Sequence, residues 1–119
     1  MTQAVLVGKD WQARALLRAQ LLEEGLEVQA YETARAALAA LEETELLPAL
    51  LVADLFASDD PVTEIDQLAR WAPQISTWII AGRNLIAEKR LQGRGFEVIL
   101  FRPVAMGELV EQIKQRLER

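Results

Sequence analysis

Five short apolar segments alternate with helix-forming segments along the whole chain, and this alternation limits the fold more than any other feature. The apolar segments are residues 4–7, 26–31, 49–53, 78–81 and 98–101. Four of them are continuously apolar, as strands buried on both faces of a sheet are, and the second alternates apolar and polar residues. The pattern predicts an α/β fold of five βα units, in which helices cover both faces of an open, doubly wound parallel sheet.

The segments between the strands carry helix start and stop signals. The first predicted helix runs over residues 11–24 and ends before Gly25, a residue common just past a helix end. Thr33 is a plausible N-cap for the second helix, and Pro61 suits the first turn of the third. We expect a short fourth helix over residues 84–92 and a last helix after Pro103. The apolar stripe of that last helix consists of Met106, Leu109, Val110, Ile113 and Leu117.

Composition sets the size of the domain and excludes several kinds of chemistry. The 119 residues fit one domain, residues 1–119, and another domain could follow because the last predicted helix runs to Arg119. The chain has no His and no Cys, which excludes Ser-His-Asp catalysis, thiolate nucleophiles and zinc sites built on these residues. No Gly-rich dinucleotide or Walker A motif is present.

Charge and hydropathy indicate where such a domain works. The net charge of −5 argues against a nucleic-acid surface, so we interpret Trp11, Trp71 and Trp78 as packing residues. The longest apolar stretch, residues 46–53, is far too short to span a membrane, so we expect no membrane contact. A domain without cysteine fits the cytoplasm.

Ligands of doubly wound folds bind beyond the carboxyl ends of the strands, so Asp54 is the first candidate site residue. Asp54 closes the third apolar segment, and Lys9 and Arg102 follow the first and fifth. If these strands lie on either side of the third, both cations converge on Asp54 and hold it in a permanent salt bridge. Asp54 could instead be a helix cap or a solvated loop acid, and each cation could be an ordinary surface charge.

This arrangement resembles the receiver domain of two-component response regulators over essentially the whole chain. Asp54 matches the phosphoacceptor aspartate after the third strand, and residues 95–103 run without a gap along the family's segment that ends in Lys-Pro. The resemblance implies the flavodoxin-like, CheY-like strand order 2-1-3-4-5. It also implies a place in a phosphorelay, with phosphorylation by a histidine kinase.

The chain departs from the family at the positions that support phosphorylation. Gly8 and Lys9 stand where receivers carry two acids that hold Mg²⁺, and only Asp10 remains beside them. Ala81 replaces the hydroxyl residue after the fourth strand, Ile99 replaces the switching aromatic residue, and Arg102 replaces the Lys before the proline. We therefore expect Mg²⁺ binding to be lost or weak, no other cofactor, no metal site and no catalytic residue.

These departures predict a degenerate receiver, or pseudo-receiver, that acts as a protein-interaction or dimerisation module in signal transduction or transcriptional control. The family's usual docking face, formed by the fourth and fifth helices and the fifth strand, would bind an effector domain or a second copy. In this chain that face would contain Leu85, Ile86, Leu91 and the polar side of the last helix. Two alternatives stay open: a genuine phosphoacceptor at Asp54, and a module that binds a small anion between Lys9 and Arg102.

Overall fold

The sheet has five parallel strands in the order β2-β1-β3-β4-β5, as predicted. A computed structural model describes residues 1–82 and 89–118 of the chain. The strands are β1 (Ala4–Gly8), β2 (Val28–Tyr31), β3 (Leu50–Asp54), β4 (Ser76–Ala81) and β5 (Val98–Phe101). Because β1 and β4 flank β3, the carboxyl end of β3 lies in the middle of the row of strand ends on one side of the sheet.

Helices connect the strands as the sequence pattern predicts. They are α1 (Trp11–Glu23), α2 (Ala34–Glu42), α3 (Pro61–Trp71) and α4 (Met106–Leu117). Residues 89–91 are also helical, and the remainder of the helix predicted over residues 84–92 lies largely outside the described residues, as do Leu85 and Ile86. Among the helices described, none is both long and apolar enough to cross a bilayer.

Each face of the sheet has its own apolar cluster, because successive strand residues point to opposite sides. On one face, α2 and α3 pack against alternate residues of the strands, such as Val5, Leu51 and Ile79. On the other face, α1 and α4 pack against the intervening residues, such as Leu6 and Val52. Both clusters are needed to cover the central strands, which explains why their sequences are apolar throughout.

Short polar side chains fix the starts of the helices, and a glycine follows the end of the first. Asp10 caps α1 by accepting hydrogen bonds from the backbone N–H groups of Gln12 and Ala13. Thr33 caps α2 as predicted, and Asp60 caps α3 ahead of Pro61. Gly25 takes a φ of +83°, which an L-residue adopts only with strain.

Several details differ from the sequence expectations. Strand β4 begins at Ser76, two residues earlier than predicted, because Ser76 and Thr77 pair with Leu50 and Leu51 of β3, and the buried Thr77 hydroxyl donates to the Ile75 carbonyl. Leu91, expected on a docking face, is 1% exposed and belongs to the core beside α2 and α3. Trp11, expected to pack, is 64% exposed, because the buried side of α1 is defined by Leu17 and Leu21.

Candidate functional site

Asp54 lies at the carboxyl end of β3, opposite Gly8 of β1 and Ile80 of β4. Its side chain is 19% exposed, so the carboxylate is largely withdrawn from water while remaining at the edge of the sheet. A Cβ built on Gly8 would lie 3.6 Å from the Asp54 Cβ, which is ordinary van der Waals contact. The sheet register therefore brings residues 8 and 54 together, as the sequence predicts.

Arg102 forms an ion pair with Asp54, in agreement with the sequence expectation. The Arg102 Nη2 donates to Asp54 Oδ2, and the backbone N–H of Phe56 donates to Oδ1 at 3.0 Å. The expectation that the fifth strand flanks the third is wrong, because β4 lies between β5 and β3. Arg102 reaches past the end of β4, and its own backbone N–H donates to the Ala81 carbonyl at 2.9 Å. The Phe56 ring lies under the guanidinium, 4.2 Å from centroid to Cζ, and adds a cation–π contact.

Lys9 does not join this pair, which corrects the expectation that two cations converge on Asp54. The Lys9 Nζ instead forms an ion pair with Asp59 in the loop between β3 and α3. The physical reason is that both oxygens of Asp54 already accept hydrogen bonds, whereas Asp59 presents an 83% exposed carboxylate. Lys9 thus links the β1 end to the loop and is not part of the Asp54 cluster.

Asp10 and Gly8 are held by interactions of α1 that sequence reasoning did not foresee. Asp10 Oδ1 is engaged as the N-cap acceptor, and the Gly8 carbonyl accepts a hydrogen bond from Arg14 Nη1. The helical period offered a signal for Arg14, because residues 14, 17 and 21 fall on one side of α1 and the last two are buried leucines. Arg14 is therefore an additional residue of the site.

The positions that the sequence analysis matched to the receiver switch carry small or aliphatic residues. Ala81 closes β4 at 2% exposure and stands opposite Phe101 of β5. Ile99 of β5 is half-buried and packs against the cluster under α2 and α3. Neither side chain carries a hydroxyl or an aromatic ring.

A small cavity adjoins Asp54 on the side of the sheet covered by α1 and α4. Its volume is about 110 Å³, and Asp10, Arg14, Asp54 and Arg102 are the charged residues of its lining. A larger depression of about 690 Å³ lies at the opposite end of the sheet, where it is lined by residues that include Met1, Thr2 and Pro48. The charged residues Asp54, Arg14 and Arg102 line the smaller cavity, so the candidate site lies at that end of the sheet.

Beside the site, Glu64 in the first turn of α3 forms a hydrogen bond to the start of α2. Burial raises the pKa of Glu64, although its carboxylate accepts a hydrogen bond from the Ala34 backbone N–H at 3.5 Å. The side-chain and backbone hydrogen bonds of Thr63 lower the pKa of Asp60. Desolvation therefore outweighs the hydrogen bonds at Glu64, whereas the hydrogen bonds from Thr63 outweigh it at the exposed cap Asp60.

No protein-family profile matches the chain, and no curated protein matches it by sequence. Solved structures do match. A CheY-like response regulator receiver domain protein from Methanospirillum hungatei has a TM-score of 0.81 at 22% identity, with 99% of this chain and 94% of that one covered.

Two other similar structures are also receiver domains. The receiver domain of NtrX from Brucella abortus matches with a TM-score of 0.75 at 23% identity, over 97% of this chain and 98% of that one. The beryllofluoride-activated NtrC4 receiver domain dimer matches with a TM-score of 0.75 at 23% identity, over 99% and 98%. At these identities the likeness establishes the fold, and it extends over nearly the full length of the chain.

Proposed function

We propose that this chain is an atypical receiver domain that works as a protein-interaction module in signal transduction or transcriptional control, without a Mg²⁺-dependent phosphorylation switch. It is a binding module and not an enzyme, and its setting is the cytoplasm. The observation that carries the proposal is the Asp54–Arg102 ion pair, in which the carboxylate that ends β3 is already neutralised by a residue of the same chain.

The engagement of Asp54 supports the loss of phosphoryl transfer. One oxygen accepts from Arg102 and the other from the Phe56 backbone N–H, so neither is presented as a free nucleophile. Phosphoryl transfer depends on positioning and on neutralising the charge of the phosphoryl oxygens. A guanidinium fixed on the acceptor itself occupies the position that an incoming phosphoryl group would need.

The donor set at this edge does not fit Mg²⁺, a cation that prefers an octahedron of oxygen ligands including carboxylates. Asp54 and Asp10 are the carboxylates that line the adjoining cavity, and they are committed to Arg102 and to the start of α1. The Gly8 carbonyl accepts from Arg14, so a second guanidinium lies beside the potential oxygen ligands. Among residues 1–82 and 89–118, no group of three or more acidic side chains is arranged to hold a metal ion.

The switch positions support the same interpretation. A phosphorylation signal requires an element with two discrete arrangements that the phosphoryl group biases. Ala81 offers no hydroxyl to follow a phosphoryl group, and Ile99 is a half-buried aliphatic residue that packs against the apolar cluster. A domain of this kind would present one constant surface to its partner.

The partner-binding face in this proposal consists of β5 and α4. Strand β5 is an edge strand whose four residues are all half-buried, and the outer side of α4 is polar. A second candidate surface is the side of α1 that exposes Trp11 and Leu22. The partner is another protein domain or a second copy of the chain, and the NtrC4 receiver provides an example of a receiver dimer.

The test is intact mass after incubation with acetyl phosphate and Mg²⁺. We expect no phosphoryl adduct on the wild type, and none on the Asp54→Asn control, while both remain folded by circular dichroism. A wild-type adduct that is absent from Asp54→Asn would overturn the proposal and establish Asp54 as a working phosphoacceptor.

Self-association is tested by light scattering over a range of concentrations, with Trp11→Arg and Gln115→Arg as variants of the two surfaces. Loss of association in Gln115→Arg alone would support the β5–α4 face. Loss in Trp11→Arg alone would move the interface to α1. A monomer at every concentration would leave a different protein as the partner.

A further inference from the structure

Strand β2 forms one edge of the sheet, and its outer side carries backbone groups that no neighbouring strand uses. The carbonyl of Glu27, just before β2, accepts hydrogen bonds from the N–H groups of Gln3 and Ala4 at 2.8 and 3.2 Å, so residue 27 faces β1. Successive residues of a strand direct their polar backbone groups to alternate sides. Val28 and Ala30 therefore direct their N–H and C=O groups away from β1.

One of these outward groups is covered, and those of Ala30 are open. Arg18 reaches from α1, and its Nε donates to the Val28 carbonyl at 3.3 Å. Ala30 pairs in the sheet with Leu6 of β1 alone, and within residues 1–82 and 89–118 no hydrogen bond to its outward groups is found. An unpaired strand edge is a template for another extended chain, which would satisfy both groups.

The depression of about 690 Å³ lies beside the same strand. Gln29 and Tyr31 of β2 form one wall, and the end of α2 with the loop before β3 forms the other. At the rim, Leu46 leaves 64% of its surface exposed to water. Domains that bind extended peptides combine such parts, because main-chain hydrogen bonds to an edge strand provide affinity and adjoining pockets for alternate side chains provide specificity. The apolar lining consists of Met1, Val5, Tyr31, Ala40, Leu41, Leu46 and Pro48.

The charges of the depression favour a cationic occupant. Its charged side chains are Glu43 and Glu45, and neither forms an ion pair with another residue of the described ranges. The α-amino group of Met1 is paired with Glu27 and leaves these two acids unbalanced. A second copy of this edge does not meet the requirement, because residues 28–31 contain no cation.

We propose that β2 and the adjoining depression bind an extended peptide segment of a partner protein, in which a Lys or Arg stands between two apolar residues. The peptide main chain pairs with Ala30 as a strand, and its cation meets Glu43 and Glu45. This surface goes beyond the interaction face proposed above, because β2 and β5 are opposite edges of the sheet. It depends neither on Asp54 nor on self-association, so its test is independent of theirs.

The probe is the capped peptide SLTKTLS, in which Leu, Lys and Leu share one face of an extended chain. It is titrated into isotope-labelled protein and followed by NMR. We expect saturable shifts at residues 28–31 and 43–46, and slower hydrogen exchange of the Ala30 amide, because this N–H gains an acceptor. The charge-reversed peptide SLTETLS should bind about three- to tenfold more weakly. Shifts that do not saturate, or unchanged exchange at Ala30, would overturn the proposal.

Two N-methylated forms of the probe test the main-chain pairing. Only alternate amides of a strand face its neighbour, so one form is methylated at the odd-numbered amides and the other at the even-numbered ones. One form should lose about fivefold or more in affinity, and the other should keep its hydrogen bonds to β2. Equal affinity of the two forms would show that the peptide does not bind as a strand.

Variants of the protein test the charge assignment. Glu43→Gln/Glu45→Gln should weaken binding of SLTKTLS about three- to tenfold and leave binding of the neutral peptide SLTQTLS unchanged. Glu42→Gln is the matched control, because Glu42 is exposed at the end of α2 but lies outside the lining. Full affinity in the double variant would contradict the assignment. Protection of the Ala30 amide that rises with the concentration of the protein alone would show instead that a second copy occupies the edge.

Discussion

Arg102 donates from Nη2 to Asp54 Oδ2 across the end of β4, and this contact ties the edge strand β5 to the centre of the sheet. Arg102→Met keeps most of the side-chain bulk but leaves a largely buried carboxylate with one hydrogen bond fewer. We expect a loss of about 1–2 kcal/mol in the free energy of unfolding, measured with urea at pH 7. Asp54→Asn is expected to cost less, because the Asn oxygen still accepts from the Phe56 backbone.

The double variant Asp54→Asn/Arg102→Met tests whether the two residues act as a pair. Residues in direct contact show coupling energies of roughly 0.5–3 kcal/mol. The double variant should therefore lose less stability than the two single losses added together. Simple additivity would mean that the ion pair does not contribute to stability.

Restoring the receiver acids should restore metal binding. In Gly8→Asp/Lys9→Asp/Arg102→Lys, two carboxylates are added and Asp54 is released from the guanidinium, and the space at Gly8 accepts a Cβ. We expect saturable Mg²⁺-dependent changes in the NMR spectrum of the variant and none in that of the wild type, because carboxylate oxygens are the main protein ligands of Mg²⁺. The same response in both proteins would contradict the interpretation of Gly8 and Lys9.

Glu97 links the last helix to the sheet through Trp78 and Arg116. The indole N–H of Trp78, a 4% exposed residue, donates to Glu97 Oε2 at 2.7 Å, and Arg116 Nε donates to the same oxygen at 3.0 Å. Glu97→Ala leaves a buried donor without its acceptor, so we expect a loss of about 1–3 kcal/mol in unfolding free energy. Glu97→Gln keeps an acceptor oxygen and should lose less, and equal losses would argue against the indole hydrogen bond.

Glu64 predicts a specific dependence of stability on pH. Burial raises the pKa of its carboxyl in the folded state above the ordinary value of 4.5, so the ionised form destabilises the fold, and this penalty is fully present above the folded pKa. The penalty diminishes as the pH falls through the folded pKa towards 4.5. Glu64→Gln should therefore be more stable than the wild type at pH 7, with a difference that shrinks on acidification.

Thermal unfolding between pH 7 and pH 4 measures this difference. Glu42→Gln, at the exposed end of α2, serves as the matched control because it removes one negative charge without changing a buried group. A difference between Glu64→Gln and the wild type that stays constant with pH would contradict the assigned cause.

Ala57 takes a left-handed backbone conformation that favours glycine. Its φ is +65° in the turn closed by the hydrogen bond from Ser58 N–H to the Leu55 carbonyl at 3.1 Å. Ala57→Gly should raise the unfolding free energy by about 0.5–1 kcal/mol, because glycine avoids the steric cost of the Cβ. Gly25→Ala makes the opposite exchange at another residue with a positive φ and should lower the unfolding free energy by a similar amount. If both substitutions changed the unfolding free energy in the same direction, backbone strain would be ruled out as the cause.

The fold class was predictable from the pattern of apolar segments, which could only be buried on both faces of a sheet. The strand order that places residues 8 and 54 side by side was implied by the resemblance to receiver domains. The stripe of α4 and the cap at Thr33 were also predictable, because they depend on local spacing.

Which charged residues form ion pairs could not be predicted from the sequence, because the pairs join residues that are far apart along the chain. Lys9 is adjacent to the site in sequence but pairs with Asp59, whereas Arg14 enters the site from α1. Long cationic side chains reach several acceptors at similar cost, so the choice depends on which carboxylates are already engaged. The cavity beside Asp54 arises in the same way, since it depends on how α1 and α4 pack against the strand ends and on no single segment of the sequence.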